Sequence, residues 1–165
     1  MKLWYVVNTK FREEFKASMH LNRQGFETYL PQYKKTRRHA RKSYDALIPL
    51  FPKYLFVKFD LDMENWSFIN STIGVSKLIK FGAMPAPVPE KLITEIQERE
   101  DAEGMVSLNR PLNIIPGDKI TINIGAFNDH TGIFEAQDDN ERAVILLNLM
   151  GRDVRVRLSS GAISA

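Results

Sequence analysis

The unbroken apolar run Leu3 to Val7 predicts a buried strand, and Thr9 follows it where a helix cap would stand. The spacing then predicts a helix from Lys10 to Gln24, ended by Gly25, with Phe11, Phe15 and Met19 at i, i+4 and i+8 as its buried stripe. Arg12, Lys16, His20 and Arg23 recur at steps of four, four and three and line a second stripe, which is basic. From Gln32 to Ser43 the chain carries Lys34, Lys35, Arg37, Arg38, His39, Arg41 and Lys42 with no acidic residue, between apolar segments that can pair as a hairpin. Phe51 to Phe59 alternates with period two: Leu55, Val57 and Phe59 share one face, and Tyr54, Phe56 and Lys58 the other. A strand apolar on both faces is usually buried on both. Lys58 in register with two aromatics argues instead that the second face meets solvent or a partner, and both readings stand.

A short helix is expected at Glu64 to Ser71 and a strand at Val75 to Phe81, followed by a loop through Gly82 and three prolines. Pro89 opens a helix that buries Leu92, Ile93 and Ile96 and ends near Gly104. It closes an α/β domain over residues 1–104, with a linker at 105–115 and a second unit at 116–165. There, strands expected at Lys119–Ile124, Gly132–Glu135, Ala143–Leu149 and Val154–Leu158 suggest a small antiparallel barrel. Asn140 could equally cap a helix whose stripe is Ala143, Leu146, Leu147 and Met150. The fold class is therefore α+β, with barrel and helical readings of the tail both open.

Composition narrows the function. The chain has 165 residues, 44% hydrophobic and 26% charged, as in ordinary soluble domains. No apolar run approaches the ~18 residues of a membrane span, and Met1-Lys2 leads directly into the first strand without a secretory leader, so a cytoplasmic protein is expected. With no cysteine, disulfides, thiolate nucleophiles and cysteine-held metals are excluded. Residues 1–60 carry 13 Lys/Arg against 5 Asp/Glu, whereas residues 61–111 net −3 and residues 112–165 net −2. A basic first third points to a polyanion, with nucleic acid the first candidate. A single basic helix is as often only a solvated face, but an additional wholly basic arm would repel itself without an anion to hold. His20, His39 and His130 have no metal-ligand spacing, no phosphate or nucleotide fingerprint is present, and Asp138-Asp139 with Glu141 reads as an acidic turn. No catalytic residue, metal or cofactor is assigned.

Several segments resemble the NusG family of transcription elongation factors, and within it the specialised RfaH-like branch. They are Trp4-Tyr5, Leu50-Phe51-Pro52-Lys53-Tyr54-Leu55-Phe56-Val57, Gly74-Val75-Ser76, Phe81-Gly82-Ala83, Pro116-Gly117-Asp118-Lys119, Gly125-Ala126-Phe127 and Leu146-Leu147-Asn148-Leu149. Together they span nearly the whole chain. The resemblance implies an N-terminal NGN α/β sandwich and a C-terminal KOW domain, either a five-stranded β-barrel or an α-helical hairpin in an autoinhibited state. It implies that Tyr54, Phe56 and Phe81 meet the clamp helices of RNA polymerase and that Asn65, Trp66 and Ser67 reach the opposite jaw. Lys10, His20, Arg23, Gln24 and Asn70 match positions that hold non-template single-stranded DNA, and Arg12 and Lys16 extend that surface by charge. Phe68 and Ile73 stand where the RfaH-like branch carries a polar and a basic residue, and Trp66 resembles the general branch. Ile93, Phe134 and Leu146 match apolar positions of a closed interdomain interface. Arg142 matches a charged one whose acidic partner position is Ile48 here, an absent ion pair worth about 1 kcal/mol. Phe127 falls where the KOW domain meets a further partner, the ribosome or Rho. The implied protein is monomeric, binds no membrane, and suppresses pausing or termination. The alternative from another class is an RNA- or ribosome-binding module, against which the acidic tail speaks.

Overall fold

The computed structural model describes residues 1–62, 65–108, 121–122, 133–134, 136, 138–150 and 163–164. Strand β1 (Leu3–Thr9) leads to helix α1 (Glu14–Arg23), then β2 (Glu27–Tyr29), the pair β3 (Gln32–His39) and β4 (Lys42–Pro49), and β5 (Tyr54–Phe59). A 3-10 helix at Trp66–Ser71 precedes β6 (Val75–Leu78), β7 (Lys80–Phe81), β8 (Met84–Pro85) and β9 (Pro87–Val88). Helix α2 (Glu90–Glu98), β10 (Thr121–Ile122), α3 (Asp139–Leu149) and β11 (Ile163–Ser164) complete the described elements.

The main sheet has the order β2-β5-β1-β6, with β9 also pairing β1, and every pairing is antiparallel. Alternation along β1 and β5 makes two cores. Trp4, Val6 and Phe56 face α2, whereas Tyr5, Val7, Leu55, Val57 and Phe59 face Ala17 and Leu21 of α1. The sheet is thus filled on both faces, which is why β1 and β5 read as nearly continuous apolar runs. Of the two readings of β5, burial holds for Phe56, which is only 1% exposed.

Helix α2 follows the sequence at its start, with Pro89 as cap residue and Leu92, Ile93 and Ile96 buried, but it ends at Glu98 rather than near Gly104. Residues 105–108, expected as linker, are packed: Val106 is buried and its N–H donates to the carbonyl of Gln32 at 2.7 Å. The expected strand Val75–Phe81 is broken between Leu78 and Lys80.

In the C-terminal third the helical period prevails at Asp139–Leu149. Its cap is Asp138, whose carboxylate accepts from Glu141 N at 2.8 Å, rather than Asn140. The strand expected at Ala143–Leu149 is corrected to helix, and of that expected at Gly132–Glu135 the described residues, Ile133 and Phe134, are helical too. Arg142, Ala143, Ile145, Leu146 and Leu147 are buried, and Ile145, Leu146 and Met150 join the cluster of Phe56 and Ile93. Antiparallel β10 and β11 pair Thr121 with Ser164. The expected strand Val154–Leu158 lies outside the described residues, as does most of Lys119–Ile124.

Candidate nucleic-acid and protein interface

The basic face is built around the entry to α1. The helix starts four residues later than its hydrophobic period predicts, because Arg12 takes a left-handed backbone (φ 58) and Thr9 completes β1 instead of capping. Lys53 is also left-handed (φ 70) and is pinned there: its carbonyl accepts from Thr9 N (2.7 Å) and Asn8 Nδ2 (3.1 Å), and its N–H donates to Glu14 Oε1 (3.0 Å). Both cations approach the Phe11 ring, with the Arg12 guanidinium 5.0 Å and the Lys53 ammonium 5.7 Å from its centroid.

Phe11 is 68% exposed, Phe15 50% and Met19 45%, so the stripe expected to be buried is the outer one. The buried face of α1 is Glu14, Ala17 and Leu21. Its cause is a close approach: a Cβ on Gly74 (φ +85) would lie 2.8 Å from Ala17 N, so a small residue on each side lets α1 settle against the start of β6.

Two further bonds tie the expected DNA-contacting residues to that seam. Lys10 N donates to Gly74 O at 2.9 Å, and Gln24 Nε2 donates to the buried Thr72 hydroxyl at 2.9 Å. Asn70 Oδ1 accepts from Leu78 N at 2.7 Å while the residue stays exposed. Lys16 and Arg23 are exposed on α1 and His20 is half-buried; Arg12 lies outside the helix, with its guanidinium over the Phe11 ring. Lys16 Nζ is 3.6 Å from Glu13, a surface pair too weak to neutralise it. Gln24, Asn65 and Phe68 line a cleft of about 320 Å3 beside this face.

The expected polymerase residues do not form one exposed surface. Phe81 is 61% exposed and pairs with exposed Met84 across β7 and β8, whereas Tyr54 is half-buried and Phe56 is buried between Tyr29 and Phe51. An outward Phe56 is therefore corrected: α2 and α3 share the core that covers it. Asn65 and Ser67 are exposed, with Ser67 Oγ donating to Asn65 Oδ1 at 2.6 Å. Trp66 is half-buried under the Lys80 ammonium, 5.1 Å from its ring.

Ile93, Phe134 and Leu146 do meet in one buried cluster. Arg142 is 3% exposed; its Nε donates to Leu50 O at 3.0 Å, its guanidinium pairs with Asp139, and it lies 5.1 Å from the Tyr33 ring centroid. Tyr33 in turn donates its hydroxyl to Asp139 at 2.5 Å. Burial first, then that hydrogen bond and the Asp139 charge, push the Tyr33 phenol above its ordinary value, against the opposing Arg142 charge. The ion pair expected to be missing opposite Ile48 is thus replaced from within α3, by Asp139 one turn before Arg142. Phe127 lies outside the described residues.

The NusG family model, described as a transcription termination factor, matches residues 2–97. The transcription termination/antitermination protein NusG of Chlamydia pneumoniae is 27% identical over 94% of this chain and 90% of its own length. The NusG proteins of Thermus thermophilus and Escherichia coli are 24% and 26% identical, over 94% and 95% of this chain and 94% and 92% of theirs. Among solved structures, one on domain interaction in Thermotoga maritima NusG matches with a TM-score of 0.44 at 22% identity, covering 77% of this chain and 75% of that one. With the model matching well over half of the sequence, the chain belongs to the NusG family.

Proposed function

We propose that this protein is a general NusG-type elongation and antitermination factor that binds RNA polymerase through residues 1–104 and holds the exposed non-template DNA strand on the face of α1. The observation that carries this reading is the mixing of exposed rings with cations: Phe11 with Arg12 and Lys53 over its ring, and exposed Phe15 and Lys16 following on α1. Single-stranded nucleic acid is held by that combination, with charge on the backbone and rings under the bases. Lys10, His20, Arg23, Gln24 and Asn70 border the same surface and supply donors to phosphates and base edges. Phe81 with Met84 supplies apolar contact to polymerase, Asn65, Trp66 and Ser67 engage its opposite jaw, and Phe127 belongs to a KOW unit for the ribosome or Rho. No covalent step is required; pausing is opposed by holding the complex together.

A specialised, RfaH-like role is favoured by α3, which covers the Phe56 face and is fixed there through Arg142. In this second reading α3 must leave before the Tyr54 and Phe56 face can meet polymerase. Transcription by purified bacterial RNA polymerase, with and without the full chain, on templates carrying or lacking a pause element separates the two. Equal pause suppression on all templates supports the general factor. Suppression confined to one element, enhanced by Arg142→Ala, supports the specialised one. No effect of either form on any template overturns both.

A further inference from the structure

Between the two-stranded β3–β4 ribbon and the entry to α1 lies a cleft of about 580 Å3 whose lining mixes cations, rings and aliphatic side chains. Arg12, Arg37 and Lys53 line it, and among the described residues none of the three makes an ion pair. Glu14 is the one carboxylate among its described lining residues, and it is buried and already accepts the Lys53 N–H. The cleft therefore holds a surplus of positive charge.

The rest of the lining is largely apolar. Phe11 and Tyr44 present exposed rings, whereas Ala46, Ile48 and Pro52 are half-buried. Tyr44 stands directly opposite Arg37 in the ribbon, and Ala46 and Ile48 follow it at steps of two, so one face of β4 sets a ring and two aliphatic side chains beside a cation. Backbone strain gathers at the same place. Arg12 (φ 58) and Lys53 (φ 70) are both left-handed, at a cost of about 1 kcal/mol for each L side chain. Strain of this kind persists where the surrounding structure fixes it, and it clusters at binding sites.

We propose that this cleft docks an acidic peptide segment of a partner protein, with its carboxylates on Arg12, Arg37 and Lys53 and its aromatic and leucine side chains against Tyr44, Ala46 and Ile48. Charge complementarity selects an acidic occupant. The aliphatic lining selects peptide over nucleic acid, because phosphates, sugars and base edges need donors or stacking planes, whereas apolar side chains gain by leaving water there. An extended segment that alternates acidic and apolar residues offers the two kinds of group on its two faces. The docking goes beyond the function proposed above and needs neither polymerase nor DNA. A docked segment also covers the Phe11 ring and so competes with single-stranded DNA for it; that consequence, unlike the docking, rests on the single-strand reading of α1.

The test titrates the full chain, at about 150 mM salt, with a labelled peptide of about eight residues that alternates aspartate with phenylalanine and leucine. A peptide of the same length and charge alternating aspartate with serine, and a DNA single strand, serve as comparisons. The apolar peptide should bind at least about tenfold more tightly than the serine one. Arg37→Gln and Tyr44→Ser, both at exposed positions, should each weaken it at least about fivefold, and Tyr44→Ser should leave single-strand affinity within about twofold. Lys53→Gly relieves the left-handed backbone and removes the cation, so it should melt no lower than the parent and still bind the peptide more weakly. Absence of binding by the apolar peptide overturns the proposal, as do equal binding of the two peptides and unchanged affinity in Arg37→Gln and Tyr44→Ser. Equal loss of peptide and single-strand affinity in Tyr44→Ser also overturns it and makes the cleft a nucleic-acid groove. A parent that binds no single strand overturns the α1 reading instead, and the peptide titration still decides the docking.

Discussion

Arg142 on α3 donates from Nε to the carbonyl of Leu50, 3.0 Å away in space and 92 residues earlier in the chain. Leu50 lies just beyond β4 and donates its own N–H to Pro31 O at 2.8 Å, so the bond reaches the root of the β3–β4 ribbon. Tyr33, on the partner strand at that root, bonds to Asp139 of the same helix. One buried cation therefore joins both strands of the ribbon root to α3, and its charge is met within the helix by Asp139.

Removing that cation should release α3. Arg142→Met leaves the Leu50 carbonyl without its donor and Asp139 without its counter-ion, a loss of about 2 to 3 kcal/mol given that Asp139 keeps some access to water. Hydrogen exchange should then accelerate at the amides of Ala143 to Leu149 while those of β1 and β5 stay protected. Unchanged exchange in α3 would show that apolar packing alone holds the helix.

Gly74 should tolerate no side chain. Gly74→Ala puts a Cβ 2.8 Å from the backbone of Ala17 and fixes an L residue at φ +85, which should cost about 2 to 4 kcal/mol. Gly82→Ala has a similar backbone (φ +65) but nothing within 4 Å, and should cost only about 1 kcal/mol. Thermal melting of the two variants separates close approach from backbone strain; equal losses would argue that the α1–β6 seam yields.

Stability should fall on the alkaline side. Burial, then a hydrogen bond and charge from Glu100, raise the Tyr29 phenol, and burial with Asp139 raises Tyr33 in the same direction. A phenol whose folded value is raised contributes stability that is complete below the unfolded value, about 10, and lost as pH rises through the folded one. Melting temperatures measured upward from pH 9 should therefore drop, and less steeply in Tyr29→Phe and Tyr33→Phe, with Tyr33→Phe also loosening α3. A parallel decline in all three proteins would assign the loss to other groups.

Legibility follows the range of the interactions. The strand at Leu3–Val7 and the start of α2 at Pro89 are written in local periodicity and punctuation and stand as read, and the strand read over Phe51–Phe59 is present from Tyr54 onward. The face of α1 is misleading in the sequence because its orientation is set by Gly74 meeting Ala17, an approach across 57 positions that leaves no local trace, and Phe11, Phe15 and Met19 have the spacing of a core stripe. Lys53 and Tyr33 carry no signal for the same reason. The acidic turn expected at Asp138-Asp139 and Glu141 is instead the start of α3, and once that helix is given the pairing of Arg142 with Asp139 follows, because residues three apart on a helix are neighbours. In 139–149 two periods coexist, and only the docking of the apolar side onto the core of Phe56 and Ile93 decides for helix.

The outer stripe of α1 gives the sharpest test of the proposed single-strand site. Phe11 is too exposed to support the core, so Phe11→Ala should leave the melting temperature within about 1 °C while removing a stacking surface worth about 1 to 3 kcal/mol per base. Single-strand affinity should fall between about fivefold and a hundredfold, with the salt slope unchanged because every phosphate keeps its cation. Lys16→Gln should do the converse, lowering the slope by about 0.7 with a smaller loss of affinity. Phe11→Trp should retain or strengthen binding, since the larger ring keeps both the stack and its cationic neighbours Arg12 and Lys53. Affinity indifferent to the ring at position 11 would leave the face of α1 purely electrostatic, and base stacking would have to be abandoned as the reason these rings point outward.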